Sequence, residues 1–240
     1  MDYVLILAVG LIAGTVSGIV GFGSSIMLMP VLVLKFGPVT AVPIMAVAAA
    51  MANLSRVMIW WREVDWRTCA AYSVTGIIGA SLGARTLVAL PQNMIEGALG
   101  GFFIAMIPLR HWLKRRNMVI NRVHLAVAGL FIGYITGIAV STGPISVPLF
   151  LAHGLIKGAF IATEAASSLA IYATKLVVFR EFGVLPWPIF VKGLIVGSSL
   201  MVGSWLSKRF MIRLPAERFQ LFMDALMLVS GAVMLGAALI

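Results

Sequence analysis

An all-α polytopic membrane protein of two inverted repeats, each beginning with a helix broken at a Gly-rich stretch, is the fold class this sequence predicts. Three observations predict it. The chain is 61% hydrophobic and 11% charged, with a mean hydropathy of +1.07, far above the roughly half apolar content of soluble domains. Two long apolar runs are each interrupted, once at Gly18-Ile19-Val20-Gly21-Phe22-Gly23-Ser24-Ser25 before Pro30, and once at Gly137-Ile138-Ala139-Val140-Ser141-Thr142-Gly143-Pro144 before Pro148. The chain also resembles itself: shifted by 119, Gly14 and Gly18 fall on Gly133 and Gly137; shifted by 118, Pro30, Arg62-Glu63 and Gly79 fall on Pro148, Arg180-Glu181 and Gly197.

Eight apolar blocks follow in order, at about 3–36, 39–60, 68–90, 94–112, 123–155, 158–179, 186–207 and 217–240. Many of their windows exceed the 18 or so apolar residues that cross a hydrocarbon core about 30 Å thick. The first and fifth blocks are too long for one straight span, and they are the two that carry the breaks. Trp60, Trp61, Trp66, Trp112, Trp187 and Trp205 lie at or near block ends, where an aromatic belt belongs. Leu90-Pro91 and Leu214-Pro215 occupy matching late positions. The halves read as 1–116 and 117–240, two repeats within one transmembrane domain.

The net charge of +10 does not mark a nucleic-acid binder. Its residues gather in short connections, notably Arg110, Lys114, Arg115, Arg116 and Arg122, as lysine and arginine do when they hold loops on the cytoplasmic side. If each long block crosses once, Lys plus Arg divide 11 to 7 between the two sides; if each turns back at its glycines, they divide 13 to 5. The stronger bias favours turning back. Each half then has odd parity, the two copies point opposite ways, and both termini are external. The N-terminus, with Asp2 and no basic region, reads as a membrane element and not a removable signal.

At a break inside hydrocarbon the freed amides find no water, so irregular backbone survives only where protein buries it or it lines a polar cavity. Gly18, Gly21 and Gly23 supply backbone freedom, Ser24 and Ser25 supply hydroxyls suited to capping a restarting helix, and Pro144 suits a first helical turn. Each break is therefore expected to start a helix whose amides and partial positive charge favour an anion. With opposed repeats the two starts face one another near the midplane, the usual position of a transporter's binding site. Gly21, Gly23, Ser24, Ser25, Ser141, Thr142, Gly143, Pro144 and Ser167 are the expected substrate-binding residues. The spacings Gly14-xxx-Gly18, Gly79-xxx-Gly83 and Gly133-xxx-Gly137 read instead as close helix packing.

A second polar group lies in block 158–179: Thr163, Glu164, Ser167, Ser168 and Lys175. Glu164 is the candidate for proton coupling, because a carboxylate at membrane depth is costly and usually functional; solvation near the rim at Lys157 is the plainer reading. Arg56, beside Asn53 and Ser55, is expected to snorkel to the cytoplasmic rim. His111, His124 and His153 stand apart near block ends and read as interfacial. Cys69 has no partner for a disulfide and no ligand spacing. No metal, cofactor or enzyme pattern is present.

The two Gly-rich breaks followed by proline, the run Thr163-Glu164-Ala165-Ala166-Ser167-Ser168 and the late glycine and Leu-Pro positions resemble the sulfite exporter TauE/SafE family of membrane permeases across nearly the whole chain. The resemblance implies carriage of sulfite or an organosulfonate across the bacterial cytoplasmic membrane. The expected partners are a small anionic substrate, the bilayer and a coupling proton, with homo-oligomerisation open. A channel or a carrier for a carboxylate or cation is the alternative, followed by a non-transporting scaffold.

Overall fold

The fold grows from apolar helices whose ends are set by a few capping residues. The computed structural model describes residues 2–91, 120–139 and 142–209, with isolated positions between 94 and 112 and at 225, 228 and 232. Most of the blocks at 217–240 and 94–112 lies outside the described residues, as do Arg110, Lys114, Arg115 and Arg116 of the basic cluster, Leu214-Pro215 and His111. Every described element is helical: α1 (Asp2–Val20), α2 (Ser24–Phe36), α3 (Pro38–Trp60) with a short 3₁₀ turn (Trp61–Glu63), α4 (Trp66–Ala89), α5 (Arg122–Ile138), α6 (Gly143–Ala152), α7 (Lys157–Glu181) and α8 (Trp187–Arg209).

Among the described residues, two helix starts are capped by side chains. Asp65 is the N-cap of α4 and accepts from the backbone N–H of Arg67 at 3.1 Å and of Thr68 at 3.2 Å. Asn121 caps α5 through a capping box, accepting from His124 N–H at 2.9 Å while its own N–H donates to His124 Nδ1 at 3.3 Å. The Asp65 N–H donates to the Thr163 hydroxyl at 3.0 Å, tying the start of α4 to α7. The Thr68 hydroxyl, which donates to Asp65 Oδ2 at 2.6 Å, is the main cause holding the Asp65 carboxyl below the usual carboxylate range. Asp65→Ala should cost about 1 kcal/mol in thermal unfolding at neutral pH. Because the folded carboxyl titrates below its unfolded value, that contribution stands above the ordinary carboxylate range and fades as pH falls through the lowered one.

Among the described residues, three helical stretches are long and apolar enough to cross a membrane: Val39–Glu63, Gly158–Glu181 and Trp187–Ser207. Tyr3–Ile19, Ser24–Phe36, Arg122–Ile138 and Gly143–Ala152 are shorter apolar helices. Helix α4 matches the three in length but spends its inner face on Thr68, Ser73, Gly76, Gly79, Ala80, Gly83 and Ala84, all buried. Many large apolar side chains point outward, among them Val4, Leu5, Ile12, Val74, Ile78 and Val202, as a hydrocarbon solvent permits. Trp61, Trp66, Trp187 and Trp205 are exposed at helix ends.

Small residues decide which helices meet. Helix α4 packs on α5, and α1 on α8. A Cβ on Gly79 would stand 2.7 Å from the Tyr134 amide, one on Gly133 2.8 Å from Gly76 Cα, and one on Gly14 2.8 Å from Leu200 Cα. Such approaches leave no room for a side chain, and in lipid they are the main source of helix association. The packing role expected for these three Gly-xxx-Gly pairs is what the structure has. Helices α3 and α7 pack on each other in the interior, with α8 against α3 and α4 against α7.

Candidate functional site

The chain leaves α1 at Val20 and resumes as α2 at Ser24. The turn between them is carried by glycine, with φ of 89° at Gly21 and 109° at Gly23, a left-handed backbone that other residues rarely adopt. Gly23 is itself the N-cap of α2, with no side-chain capping hydrogen bond. The expectation that Ser24 and Ser25 cap this helix is therefore corrected. They occupy its first two helical positions, because the positive φ places the helix start one residue earlier.

In the second half α5 ends at Ile138 and α6 starts at Gly143. Thr142 is the N-cap but makes no side-chain cap; its hydroxyl pairs with that of Thr136 at 2.6 Å. Ser141 lies outside the described residues. Gly143 packs against Phe22, whose side chain fills the space where a Cβ would stand. The two interrupted segments thus touch.

Beside that contact lies a cavity of about 30 Å³, room for one or two waters. Gly21, Gly23, Ser24, Ser25, Thr142, Gly143 and Glu164 all line it. Pro144 is buried just off its wall. Ser167 is fully buried, its hydroxyl without a partner among the described residues, and it too is not on the wall. Seven of the expected residues therefore share one cavity, and Asn53, Arg56, Ser168 and Tyr172 join them.

The centre of the site is an ion pair. Arg56 Nη1 stands 3.4 Å from Glu164 Oε2. The guanidinium also donates to the Gly21 carbonyl and, through Nη2, to Asn53 Oδ1. Glu164 Oε1 accepts from Ser168 at 2.9 Å and from Ser146 at 3.3 Å. Arg56 is 4% exposed and Glu164 3%. Both rim readings are corrected: Arg56 does not snorkel, because Gly21, Asn53 and Glu164 hold its head inside, and Glu164 is not solvated. Arg56 Nε has no partner among the described residues, so the guanidinium keeps one donor in reserve. Tyr172 and Ser25 both face the cavity.

The sequence carried a signal for Arg56 that its nearness to Trp60 obscured. Asn53 and Arg56 are three residues apart, hence on one helical face, and the Asn53 amide that holds the guanidinium is buried too. Tyr172 was hidden in the aliphatic run of α7. Among the described residues no group of three His, Cys, Asp or Glu could hold a metal. His153 is no bare interfacial residue: its Nε2 lies 3.2 Å from the Thr68 hydroxyl and its Nδ1 2.7 Å from the Ile120 carbonyl.

The family model for sulfite exporter TauE/SafE matches residues 6–234. The chain belongs to the sulfite exporter TauE/SafE family. A relative of the same kind is the probable membrane transporter protein YunE of Bacillus subtilis (strain 168), 24% identical over 142 residues. That match covers 55% of this chain and 52% of YunE, so the chain spans about half the length of the curated relative it matches. No solved structure matches. TauE/SafE proteins are membrane transporters and not enzymes, and in this member the family's territory includes the cavity and both segments that form it.

Proposed function

We propose that this protein is a secondary carrier of a small sulfur-containing oxyanion, sulfite or an organosulfonate, across the bacterial cytoplasmic membrane. The observation that carries the reading is the buried Arg56–Glu164 pair at a cavity walled by two helix starts. A helix start, a guanidinium and hydroxyls are donors only or donors first, the set that suits an oxyanion. The cavity is too small for such a guest as it stands. Binding therefore requires Arg56 to turn from Glu164 toward the substrate, which takes the carboxylate's place as counter-ion. Ser24, Ser25 and Thr142 then offer hydroxyls to the remaining oxygens, and Ser146 and Ser168 stay with Glu164.

Two opposed repeats, 1–116 and 117–240, supply the moving parts in this reading. In its support, packing is exchanged between the halves: α1 of the first lies on α8 of the second, and α5 of the second on α4 of the first. A two-fold relation produces that reciprocity. Arg56 belongs to one half and Glu164 to the other, so rocking the halves apart breaks the pair, and binding of the anion offsets the loss.

Once deserted by Arg56, Glu164 is a buried carboxylate without a cation, and a bound proton neutralises it. Transport is then coupled to a proton. Glu164→Gln is expected to remove the pH dependence of sulfite uptake in proteoliposomes; an unchanged pH profile in that variant would reject the coupling. The carrier itself is tested by competition. Saturable sulfite flux inhibited by sulfonates and not by acetate supports it, whereas unsaturable flux would indicate a channel.

A further inference from the structure

Three acceptors hold Arg56, and they divide in two ways. The Gly21 carbonyl and Asn53 Oδ1 are neutral, whereas Glu164 Oε2, 3.4 Å from Nη1, carries a charge. Gly21 and Asn53 fall with Arg56 in the half 1–116, and Glu164 falls in 117–240. The two divisions coincide. Every group that holds the guanidinium from its own half is neutral, and the charge that answers it comes from the other half. Among the described residues Glu164 is the only acid on the cavity wall.

Asn53 is the side chain on which this division depends. It stands three positions before Arg56 on α3, hence on the same helical face, it is buried, and it lines the cavity with both members of the ion pair. Its amide has one workable orientation. Nδ2 donates to the Ala49 carbonyl at 2.9 Å, which turns Oδ1 to the guanidinium. The flipped amide would set oxygen against a carbonyl and N–H against a cation. The bond to Ala49 thus aims the acceptor, and Arg56 is braced from its own helix. An aspartate of the same shape would accept the same hydrogen bond and also neutralise the cation.

We infer that Asn53 is the positioning residue of the anion site. It keeps Arg56 aimed into the cavity once Glu164 is displaced and, being uncharged, leaves the cation's charge to the incoming oxyanion. The inference rests on the anion-carrier reading and adds a charge rule to it. A counter-ion in the opposite half draws away when the halves rock apart. One at position 53 would move with Arg56 as part of α3, stay within reach of it, and compete with the substrate at every stage.

One substitution with two readouts tests the rule. Asn53→Asp is introduced into Glu164→Gln, so that the double variant has the charges of the wild type with the carboxylate moved from α7 to α3. Wild type, Glu164→Gln and the double variant are purified, and each sulfite dissociation constant is read from the rise of melting temperature with sulfite. Without ligand, the double variant should melt above Glu164→Gln, because a counter-ion for the buried guanidinium outweighs the lost amide bond to Ala49. Its affinity for sulfite should nonetheless be at least about thirtyfold weaker than that of Glu164→Gln, the scale of a buried charge contact. An affinity within about threefold of Glu164→Gln overturns the inference, and so does a double variant that binds weakly and also melts lower, which is the mark of a merely structural asparagine. Should either variant not fold, Asn53→Leu in the wild type decides. Affinity at least about tenfold weaker, the scale of one hydrogen bond to a charged group, supports the inference, and unchanged affinity overturns it. If sulfite does not stabilise the wild type at all, the carrier reading itself fails.

Discussion

Arg56→Gln is expected to destabilise the protein by about 3–5 kcal/mol, because it strands the Glu164 carboxylate in the interior. Glu164→Gln strands the guanidinium and should cost a similar amount less what the Gly21 carbonyl and Asn53 return. The double variant Arg56→Gln/Glu164→Gln removes both charges, and much of the loss should come back, since an uncharged pair carries no Born penalty. Transport behaves differently. The double variant lacks the cation that meets the substrate, so sulfite flux should stay at least about thirtyfold below wild type, the scale of a lost buried charge contact. Thermal unfolding of the four proteins, paired with flux, separates the two roles. Recovery of flux along with stability would mean that the pair only holds the helices together.

The second large effect is at the contact between the two interrupted segments. Gly143→Leu places a side chain where Phe22 already stands. Overpacking of that kind costs about 1–3 kcal/mol, tolerable for folding, but the displaced Phe22 and the leucine would fill the cavity that both segments line. Sulfite flux should therefore fall to background with expression retained. Gly101→Leu is the control, because nothing among the described residues lies within 4 Å of a Cβ there, and it should transport as wild type does. Wild-type flux from Gly143→Leu would place the anion elsewhere.

Much of this site was legible in the sequence, for physical reasons that also mark where legibility ended. Glycine at membrane depth has few uses, so Gly21, Gly23 and Gly143 pointed to the cavity they line. Hydroxyl roles were less legible. Ser24 and Ser25 look like caps by type, but capping depends on which residue leaves helical angles, and the positive φ at Gly23 decides that. Arg56 was misread because a long side chain four residues from Trp60 can reach the rim as easily as the interior. What turns it inward is the Gly21 carbonyl, 35 residues away, and Glu164, 108 residues away, partners that only the packed helices bring near. Lys175 was seen as polar, yet its partners are the backbone carbonyls of Thr136 and Ala139, which no side-chain pattern reveals. The packing glycines Gly79, Gly83 and Gly133 were readable because their spacing alone defines a smooth helix face.

The central claim is that an oxyanion replaces Glu164 on Arg56, and a sulfite titration of thermal stability in wild type against Arg56→Gln/Glu164→Gln tests it most directly. A ligand bound only to the folded state stabilises it by about 2.7 kcal/mol at a hundred times its dissociation constant. Wild type should show that rise, growing with the logarithm of sulfite above its dissociation constant, and the double variant none. An equal rise in both would contradict the account.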